Sequence, residues 1–277
     1  MSVVLALLAS LIWGTSDFLG GTVTKKLPAV TTLLWANLLV LPGLTIITLI
    51  IGDLQLTPRT IGWGIVAGVS GSLGICALYQ GLATGVMGVV APIASTSVVV
   101  PVFVGIVSGE SIGAVRGVGI AVAVGGIILA GGPSLRDFRT GGHRPLLFAG
   151  AAAVLIGIFL VAVANGSKES ALSTLVVMRI SDVGLLLPMV LIMGLKRVPG
   201  RSALPSIAFI GAADLSANAL YGFAVHGSQM AITAVLVSLY PVVTLFMARQ
   251  INHERLNREQ MIGVTLAMAG VAAVVLG

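Results

Sequence analysis

The sequence predicts an all-α integral membrane protein, with ten transmembrane helices arranged as two inverted five-helix repeats around a central cavity. Three observations predict this fold. Apolar residues make up 57% of the 277 residues and charged residues only 9%, with a mean hydropathy of +1.11, whereas soluble domains carry roughly 25% charged residues. Ten apolar stretches are long enough to cross about 30 Å of hydrocarbon. Residues also recur between the two halves of the chain at an offset of 142 to 144 positions.

Turn and charge signals, such as Lys25 to Pro28, Gly52-Asp53 and Gly109-Glu110, separate the apolar stretches. Glycine is frequent, at 36 residues, and we expect it to pack helices, because small residues let helix backbones approach closely in lipid. The ten predicted spans cover residues 3–21, 29–51, 61–81, 86–108, 113–131, 145–164, 172–194, 204–225, 230–249 and 259–276.

The recurring residues indicate an internal duplication. A unit of five spans ends on the opposite side of the bilayer from its start, so a second copy must be inverted, as in many alternating-access carriers. We predict a first repeat over 1–132, a cytoplasmic linker over 133–144 and a second repeat over 145–277. The matching residues are Leu78 and Leu220, Tyr79 and Tyr221, Glu110 and Glu254, Gly119 and Gly263, and Gly126 and Gly270.

The distribution of basic residues predicts the orientation. Of the 15 Lys and Arg residues, eleven fall in or next to loops after odd-numbered spans, three fall in or next to loops after even-numbered spans, and Arg179 lies deep inside a span. Cytoplasmic loops are enriched in Lys and Arg. We therefore predict a multi-pass plasma-membrane protein with both termini outside.

Four charged residues stand out inside predicted spans, away from the residues next to the loops: Asp17, Arg179, Asp182 and Asp214. Charges in the hydrocarbon region are costly, so they are expected to face a cavity or a partner. Arg179 and Asp182 are three residues apart on one helix face and can pair. Either this pair is a neutralised packing element, or Arg179 presents its charge to an anionic group of a cargo or to Asp17.

Two carboxylates are candidates for proton coupling, since desolvation favours the protonated form of a carboxyl group. Asp214 lies deep in its span with Asn218 four residues later, while Asp17 is nearer a span end, where neighbouring lysines or hydroxyls could satisfy it. Asn37 falls opposite Arg179 at the 142 offset. These polar residues are candidates for lining the cavity.

Prolines in the fourth and ninth spans predict weakened helices, because proline removes one helical hydrogen bond and frees the carbonyl four residues earlier. Pro101 frees the carbonyl of Ser97, and Pro241 follows Tyr240. Pro92, Pro101 and Pro241 are candidate hinges, with a static kink as the alternative, and Ser97 and Tyr240 are candidate cavity residues.

Aromatic residues supply further candidates. Trp13, Tyr79 and Tyr221 could stack on a cargo, although aromatics at span ends are often interface anchors. Glu110 and Glu254 fall in loops and are interpreted as structural.

Other function classes find no support in the sequence. No phosphate-binding loop, HExxH motif or metal-ligand cluster is present, so we expect no catalytic residue, metal or cofactor. The net charge of +6 reflects loop lysines and arginines, so we expect no nucleic-acid partner. The expected partners are a small-molecule substrate and the lipid bilayer. Ten spans can enclose a cavity alone, so a monomer is sufficient and a dimer is possible.

These residues resemble the EamA family of the drug/metabolite transporter superfamily. The resemblance implies ten helices around a central cavity and the export or facilitated movement of amino acids, metabolites or drugs. The chain departs from a perfect repeat, since Pro101 and Pro241 are 140 apart and Trp13 has no counterpart. The residues that carry the resemblance are Trp13-Gly14, Phe18, Tyr79, Pro101, Gly109-Glu110, Gly119 and Gly126 in the first half, and Tyr221, Pro241, Glu254, Gly263 and Gly270 in the second.

Together these features predict a secondary transporter or facilitator, directed outward, for a small organic metabolite, amino acid or drug. The main alternative is a lipid-linked carrier or flippase of the same superfamily. An intramembrane enzyme is a further alternative, which requires the four intramembrane charges to converge.

Overall fold

The chain is helical throughout the residues that the computed structural model describes, which are 1–24, 26–84, 93–130, 143–195, 198–251 and 258–276. No strand occurs within these ranges. A 3-10 turn, Thr96–Val98, precedes the fourth helix. The helices are α1 (Ser2–Thr24), α2 (Ala29–Ile51), α3 (Pro58–Thr84), α4 (Val99–Val107), α5 (Ala114–Ala130), α6 (His143–Gly166), α7 (Ala171–Ile192), α8 (Leu204–His226), α9 (Met230–Val237), α10 (Tyr240–Ile251) and α11 (Arg258–Leu276).

Seven of these helices, α1, α2, α3, α6, α7, α8 and α11, are long and apolar enough to cross a membrane. The predicted class, a multi-pass helical membrane protein, is therefore confirmed. Within the described ranges, the other three predicted spans correspond to shorter apolar helical stretches, Ile93–Val107, Ala114–Ala130 and Met230–Thr244. The count of ten crossings accordingly stays a prediction.

The outward faces of the helices are apolar. Large side chains such as Ile50, Phe103, Phe209 and Phe246 are exposed, a pattern that only a lipid environment or a partner surface stabilises. Local signals set helix ends in the usual way. Gly52 ends α2 in the left-handed conformation at φ 75°, which glycine adopts without steric cost.

Helices from the first half of the chain pack chiefly on helices from the second half. α3 lies against α6 and α7, α1 against α8 and α10, α2 against α7 and α8, α4 against α9, and α5 against α11. One continuous buried cluster includes residues from Ala6 to Val274. The two halves therefore share a core.

The α5–α11 contact depends on glycine. A Cβ atom added to Gly126 would lie 2.2 Å from the backbone nitrogen of Ala267, and one added to Gly263 would lie 2.2 Å from that of Ala130. Gly119 meets Gly270 in the same way, with the added Cβ 2.9 Å from the Gly270 carbonyl oxygen. The two helices run antiparallel and nearly touch through their backbones, the packing role expected for these glycines.

Two helices are interrupted next to the candidate hinge prolines. The 3-10 turn Thr96–Val98 lies directly before α4, which contains Pro101. The chain also leaves the helix between α9 and α10, just before Pro241. The freed hydrogen bonds of proline explain both interruptions, whereas movement at these points stays a prediction.

Candidate functional site

Arg179 is the centre of a buried polar cluster. Arg179 is only 4% exposed. Nη1 donates to Asn37 Oδ1 at 2.6 Å and to Asp182 Oδ2 at 3.3 Å, and Nη2 donates to Asp214 Oδ2 at 2.5 Å. The predicted pair of Arg179 with Asp182 is present, and α2 and α8 each supply a further partner.

The position of Arg179 follows from the beginning of α7. Ser170 caps this helix by accepting a hydrogen bond from the Ser173 backbone nitrogen at 3.0 Å, which fixes where the helical rise begins. Eight residues at 1.5 Å each then place Arg179 about 12 Å into the helix. A charge at that depth persists only when it is paired and hydrogen-bonded, as Arg179 is.

Both carboxylates also accept hydrogen bonds from helices of the first half. Ser72 Oγ of α3 donates to Asp182 Oδ1 at 2.7 Å, and Trp13 Nε1 of α1 donates to Asp214 Oδ1 at 3.0 Å. The cluster thus joins five helices: α1, α2, α3, α7 and α8. Ser72 was not predicted, since one serine among several small residues of its span carries no distinguishing signal.

Asn218 lies one turn beyond Asp214 on α8, and its residue is 1% exposed. Its Nδ2 donates to the Asp214 backbone oxygen at 2.8 Å, which holds the amide beside that carboxylate. Its Oδ1 is buried without a hydrogen-bond partner among the described residues. A buried acceptor without a donor is costly, so this oxygen is a candidate contact for a bound molecule or water.

Asp17 marks an opening inside the bundle. On the α1 helical wheel it falls between Trp13 and Gly14, at about 40° from Trp13. Both neighbours are buried, and Gly14 approaches the Tyr240 backbone of α10 so closely that an added Cβ would lie 2.6 Å from it. Asp17 itself is exposed. Asp17 is therefore exposed although it lies on the side of α1 that packs against other helices. We infer that its side chain borders a space inside the bundle and does not face lipid.

Asp214 is the partly exposed carboxylate of the Arg179 cluster and lies near Asp17. Its side chain is 33% exposed, compared with 7% for that of Asp182. Asp17 lies within electrostatic range of Asp214 and makes no hydrogen bond or ion pair with the described part of the chain. The two candidate proton-coupling residues therefore come together at one opening, beside the Arg179 cluster.

Aromatic side chains close the cluster on its other side. The Trp13 ring packs against Tyr221 and Phe159, with ring centroids 6.0 and 6.4 Å apart. Tyr221 is fully buried and donates its hydroxyl to the Leu160 carbonyl at 3.0 Å. Tyr221 thus packs behind Trp13 and does not face the opening. Phe159 lacks a sequence signal, because aromatic side chains inside spans are ordinarily core residues.

The remaining predicted residues lie on other helical segments or outside the described part of the chain. Ser97 is buried in the 3-10 turn, and Pro101 is buried in α4. Tyr240 is half-buried at the start of α10. Pro92 lies outside the described residues, as do the side chains of Tyr79 and Pro241.

Contacts between the halves also close one end of the bundle. We call it the even-loop end, because it consists of the loops after the even-numbered spans, residues 52–57, 108–113, 167–170 and 227–229. The Glu110 carboxylate accepts hydrogen bonds from the backbone nitrogens of Met230 at 2.7 Å and Ala231 at 3.0 Å. Asp53 Oδ2 accepts from Ser170 Oγ at 2.8 Å. Both contacts link a loop of the first half to a helix beginning in the second half.

A separate cavity of about 370 Å³ lies between α4 and α5. Val102, Ile106, Gly117 and Ile120 contribute to an apolar lining that includes Glu110 as its charged residue. Among the described residues, no group of three or more His, Cys, Asp or Glu side chains is placed to hold a metal ion.

These features define a multi-pass helical membrane protein whose two halves share a buried polar cluster beside a small opening. The sequence profile of the EamA-like transporter family matches residues 1–132 and again 143–276. The chain belongs to this family, and thereby to the drug/metabolite transporter superfamily of membrane proteins, as its residues predicted.

A solved structure titled "Crystal structure of protein" matches the chain with a TM-score of 0.80 at 15% sequence identity. The match covers 99% of this chain and 97% of the other. At that identity the likeness shows a shared fold and carries no information about the cargo. No curated protein matches the chain.

Proposed function

We propose that the protein is a secondary carrier that exports a small organic solute across the plasma membrane by alternating access. The observation that carries this proposal is the opening bordered by Asp17 and Asp214, at the junction of both halves and deep within the spans. Asp214 lies ten residues into α8, or about 15 Å at 1.5 Å per residue. A central site of this kind is typical of carriers, whose substrates bind near the midplane between repeats. The depth of the cluster also favours a carrier over an intramembrane enzyme.

The packing of α5 on α11 supports an inverted repeat of five spans around this opening. Gly119 contacts Gly270, and Gly126 contacts Gly263. Adding 144 to Gly119 and Gly126 gives Gly263 and Gly270, so exchanging the halves exchanges the two contacts. Two matching helices that cross antiparallel in this way are what a two-fold axis in the membrane plane produces.

The closed even-loop end supports alternating access. Glu110 and Asp53 join the halves there, whereas Asp17 is exposed seven residues, or about 10 Å, from the opposite end of α1. With the predicted orientation, both termini and the even-loop end face outside. The Glu110 and Asp53 contacts would then hold the halves together on the outer side, as in a state of an exporter that loads its cargo from the cytoplasm.

We further propose that proton binding to Asp17 or Asp214 drives transport. Two carboxylates that share one opening repel each other when both are ionised, which favours proton uptake by one of them. Asp17 is the better test of the two, since Asp214 also holds Arg179. A monomer contains all of these groups and is proposed to be sufficient.

The test is counterflow in liposomes containing the purified protein, across amino acids, sugars, nucleosides and cationic drugs. We expect at least one class to exchange faster than in empty liposomes. Asp17→Asn is expected to abolish the response to an imposed pH gradient, while Glu259→Gln, at an exposed position of α11, retains it. Exchange of no class would contradict the carrier proposal, and a full pH response in Asp17→Asn would place the coupling elsewhere.

The apolar cavity between α4 and α5 favours a second candidate, a lipid-linked carrier. A cavity with this lining suits an acyl or polyprenyl chain, with Glu110 at one edge. The discriminating measurement is the movement of a fluorescent lipid between leaflets, with Gly117→Leu blocking the cavity. Lipid movement that Gly117→Leu abolishes, without solute exchange, would favour this candidate.

A further inference from the structure

The polar interior of the bundle carries an excess of negative charge. Asp17, Asp182 and Asp214 are acidic, and Arg179 is the basic residue of the same cluster. Three carboxylates against one guanidinium leave a formal charge of −2. Charges in the hydrocarbon region require a partner, so this charge must be offset by protons or by a cationic ligand.

Arg179 has little capacity left for an anionic cargo. Asp182 and Asp214 both pair with its guanidinium, and Asn37 accepts a third hydrogen bond. Nε alone lacks a partner in the described part of the chain. The alternative in which Arg179 presents its charge to an anionic cargo group is therefore disfavoured.

Apart from Arg179 Nε, the groups of the cluster without a full set of partners are hydrogen-bond acceptors. Asp17 and Asp214 present carboxylates to the opening, and Asn218, buried beside Asp214, has an Oδ1 without a donor. Trp13 Nε1 is already engaged with Asp214. A molecule that complements these groups must bring positive charge and N–H donors.

Given the carrier function proposed above, we propose that the opening binds a protonated organic amine between the carboxylates of Asp17 and Asp214, with an ammonium hydrogen donated to Asn218 Oδ1. An ammonium group has three donors, which matches these three acceptors. The rest of the amine would lie beside the Trp13 side chain. Cargo without a positive charge would leave protons as the means of neutralising these carboxylates.

The test is calorimetric titration of the purified full-length protein with benzylammonium, benzyltrimethylammonium, benzyl alcohol and benzoate, which share one ring and differ in their charge or donors. We expect benzylammonium to bind and benzoate not to bind. Asp17→Asn should weaken benzylammonium at least about ten-fold, as loss of one charged contact predicts, and Asp17→Glu should restore part of the affinity. Glu259→Gln is the matched surface control.

Asn218→Ala tests whether an ammonium N–H binds Asn218 Oδ1, as distinct from attraction of any cation to the carboxylates. This variant should weaken benzylammonium and leave benzyltrimethylammonium unchanged, because the quaternary ion has no N–H donor. Benzoate or benzyl alcohol binding as tightly as benzylammonium, an unchanged affinity in Asp17→Asn, or a failure of benzylammonium and longer primary amines to bind would each overturn the proposal.

These outcomes are distinct from a failure of the carrier function. Counterflow of a neutral or anionic solute that Asp17→Asn leaves unchanged would overturn the amine site and leave the carrier intact. Amine binding without any counterflow would overturn the carrier and leave the binding site.

Discussion

Asn37 Oδ1 accepts a hydrogen bond from Arg179 Nη1 at 2.6 Å, although the two residues are 142 positions apart. That separation equals the offset at which Leu78-Tyr79 recurs as Leu220-Tyr221. Residues at equivalent positions of two inverted units lie at equal distances on opposite sides of their axis, so they can touch only near it. The contact therefore marks the proposed axis between the halves.

The same position carries different chemistry in each half. Asn37 of α2 is neutral, while Arg179 of α7 is charged and pairs with two carboxylates of its own half. The proposed repeat thus explains why Asn37 and Arg179 lie next to each other, and the difference between the two copies explains why the cluster is asymmetric.

Removal of the buried guanidinium is expected to destabilise the protein strongly. Arg179→Met leaves Asp182 and Asp214 uncompensated, and breaking a buried ion pair costs about 3–5 kcal/mol. Thermal unfolding in detergent should show a lower midpoint for Arg179→Met. The double variant Arg179→Met with Asp182→Asn should recover part of the loss, since the net charge of the cluster then equals that of the unmodified protein. An unchanged midpoint in the single variant would show that the pairs contribute no net stability.

The indole of Trp13 is expected to matter through one hydrogen bond. Trp13→Phe keeps an aromatic ring against Tyr221 but removes the donor to Asp214, and a hydrogen bond to a charged group contributes about 1.5–3 kcal/mol. We expect a lower unfolding midpoint and slower counterflow. Trp63→Phe, at a half-buried position of α3, is the control. Equal effects of the two substitutions would mean that ring size, and not the Nε1 donor, is responsible.

The Glu110 contact is expected to keep the even-loop end closed. Glu110→Gln preserves the size of the side chain but replaces a charge-assisted acceptor of two backbone N–H groups. The test uses Met230→Cys in a Cys76→Ser background, since Met230 is only 4% exposed. Its thiol should react several-fold faster with an impermeant maleimide when Glu110→Gln is also present than when Glu110 is intact. Glu259→Gln should not change the rate. An unchanged rate in Glu110→Gln would show that the contact does not hold α9 in place.

This labelling also tests the orientation. In intact cells, an impermeant reagent should reach the even-loop end, because the positive-inside rule predicts that this end lies outside. Labelling only after the cells are opened would reverse the orientation and, with it, the proposed direction of transport.

Two adjacent glycines provide a matched test of the α5–α11 contact. A Cβ atom on Gly126 would lie 2.2 Å from Ala267, whereas one on Gly125 would meet nothing within 4 Å. Gly126→Ala must push the two backbones apart and is expected to cost about 1–3 kcal/mol, as overpacking does. Gly125→Ala should be nearly neutral. Unfolding in detergent measures both, and equal midpoints would contradict the close packing.

Much of the site was predictable from the sequence because charge inside a hydrophobic span is costly and therefore conspicuous. Asp17, Arg179, Asp182 and Asp214 stood out for that reason, and the spacing of three predicted the pair of Arg179 with Asp182. Ser72 and Phe159 were missed, since neither residue type is unusual in a span. For Tyr221, by contrast, the sequence carried a signal that the structure does not support. Its match with Tyr79 predicted a place at the cavity, but its side chain is buried behind Trp13.

The sequence by itself determined that this chain spans a membrane and belongs to the EamA-like transporters, because hydropathy and repeated motifs are local properties that survive without a fold. Only the tertiary structure decided which charges neutralise each other. Asp214 reaches Arg179 from α8 and Trp13 reaches Asp214 from α1, and neither contact has a fixed spacing along the chain. Helix packing also decided that Asp17 has no partner among the described residues, since side-chain partners on different helices depend on how those helices are rotated against one another.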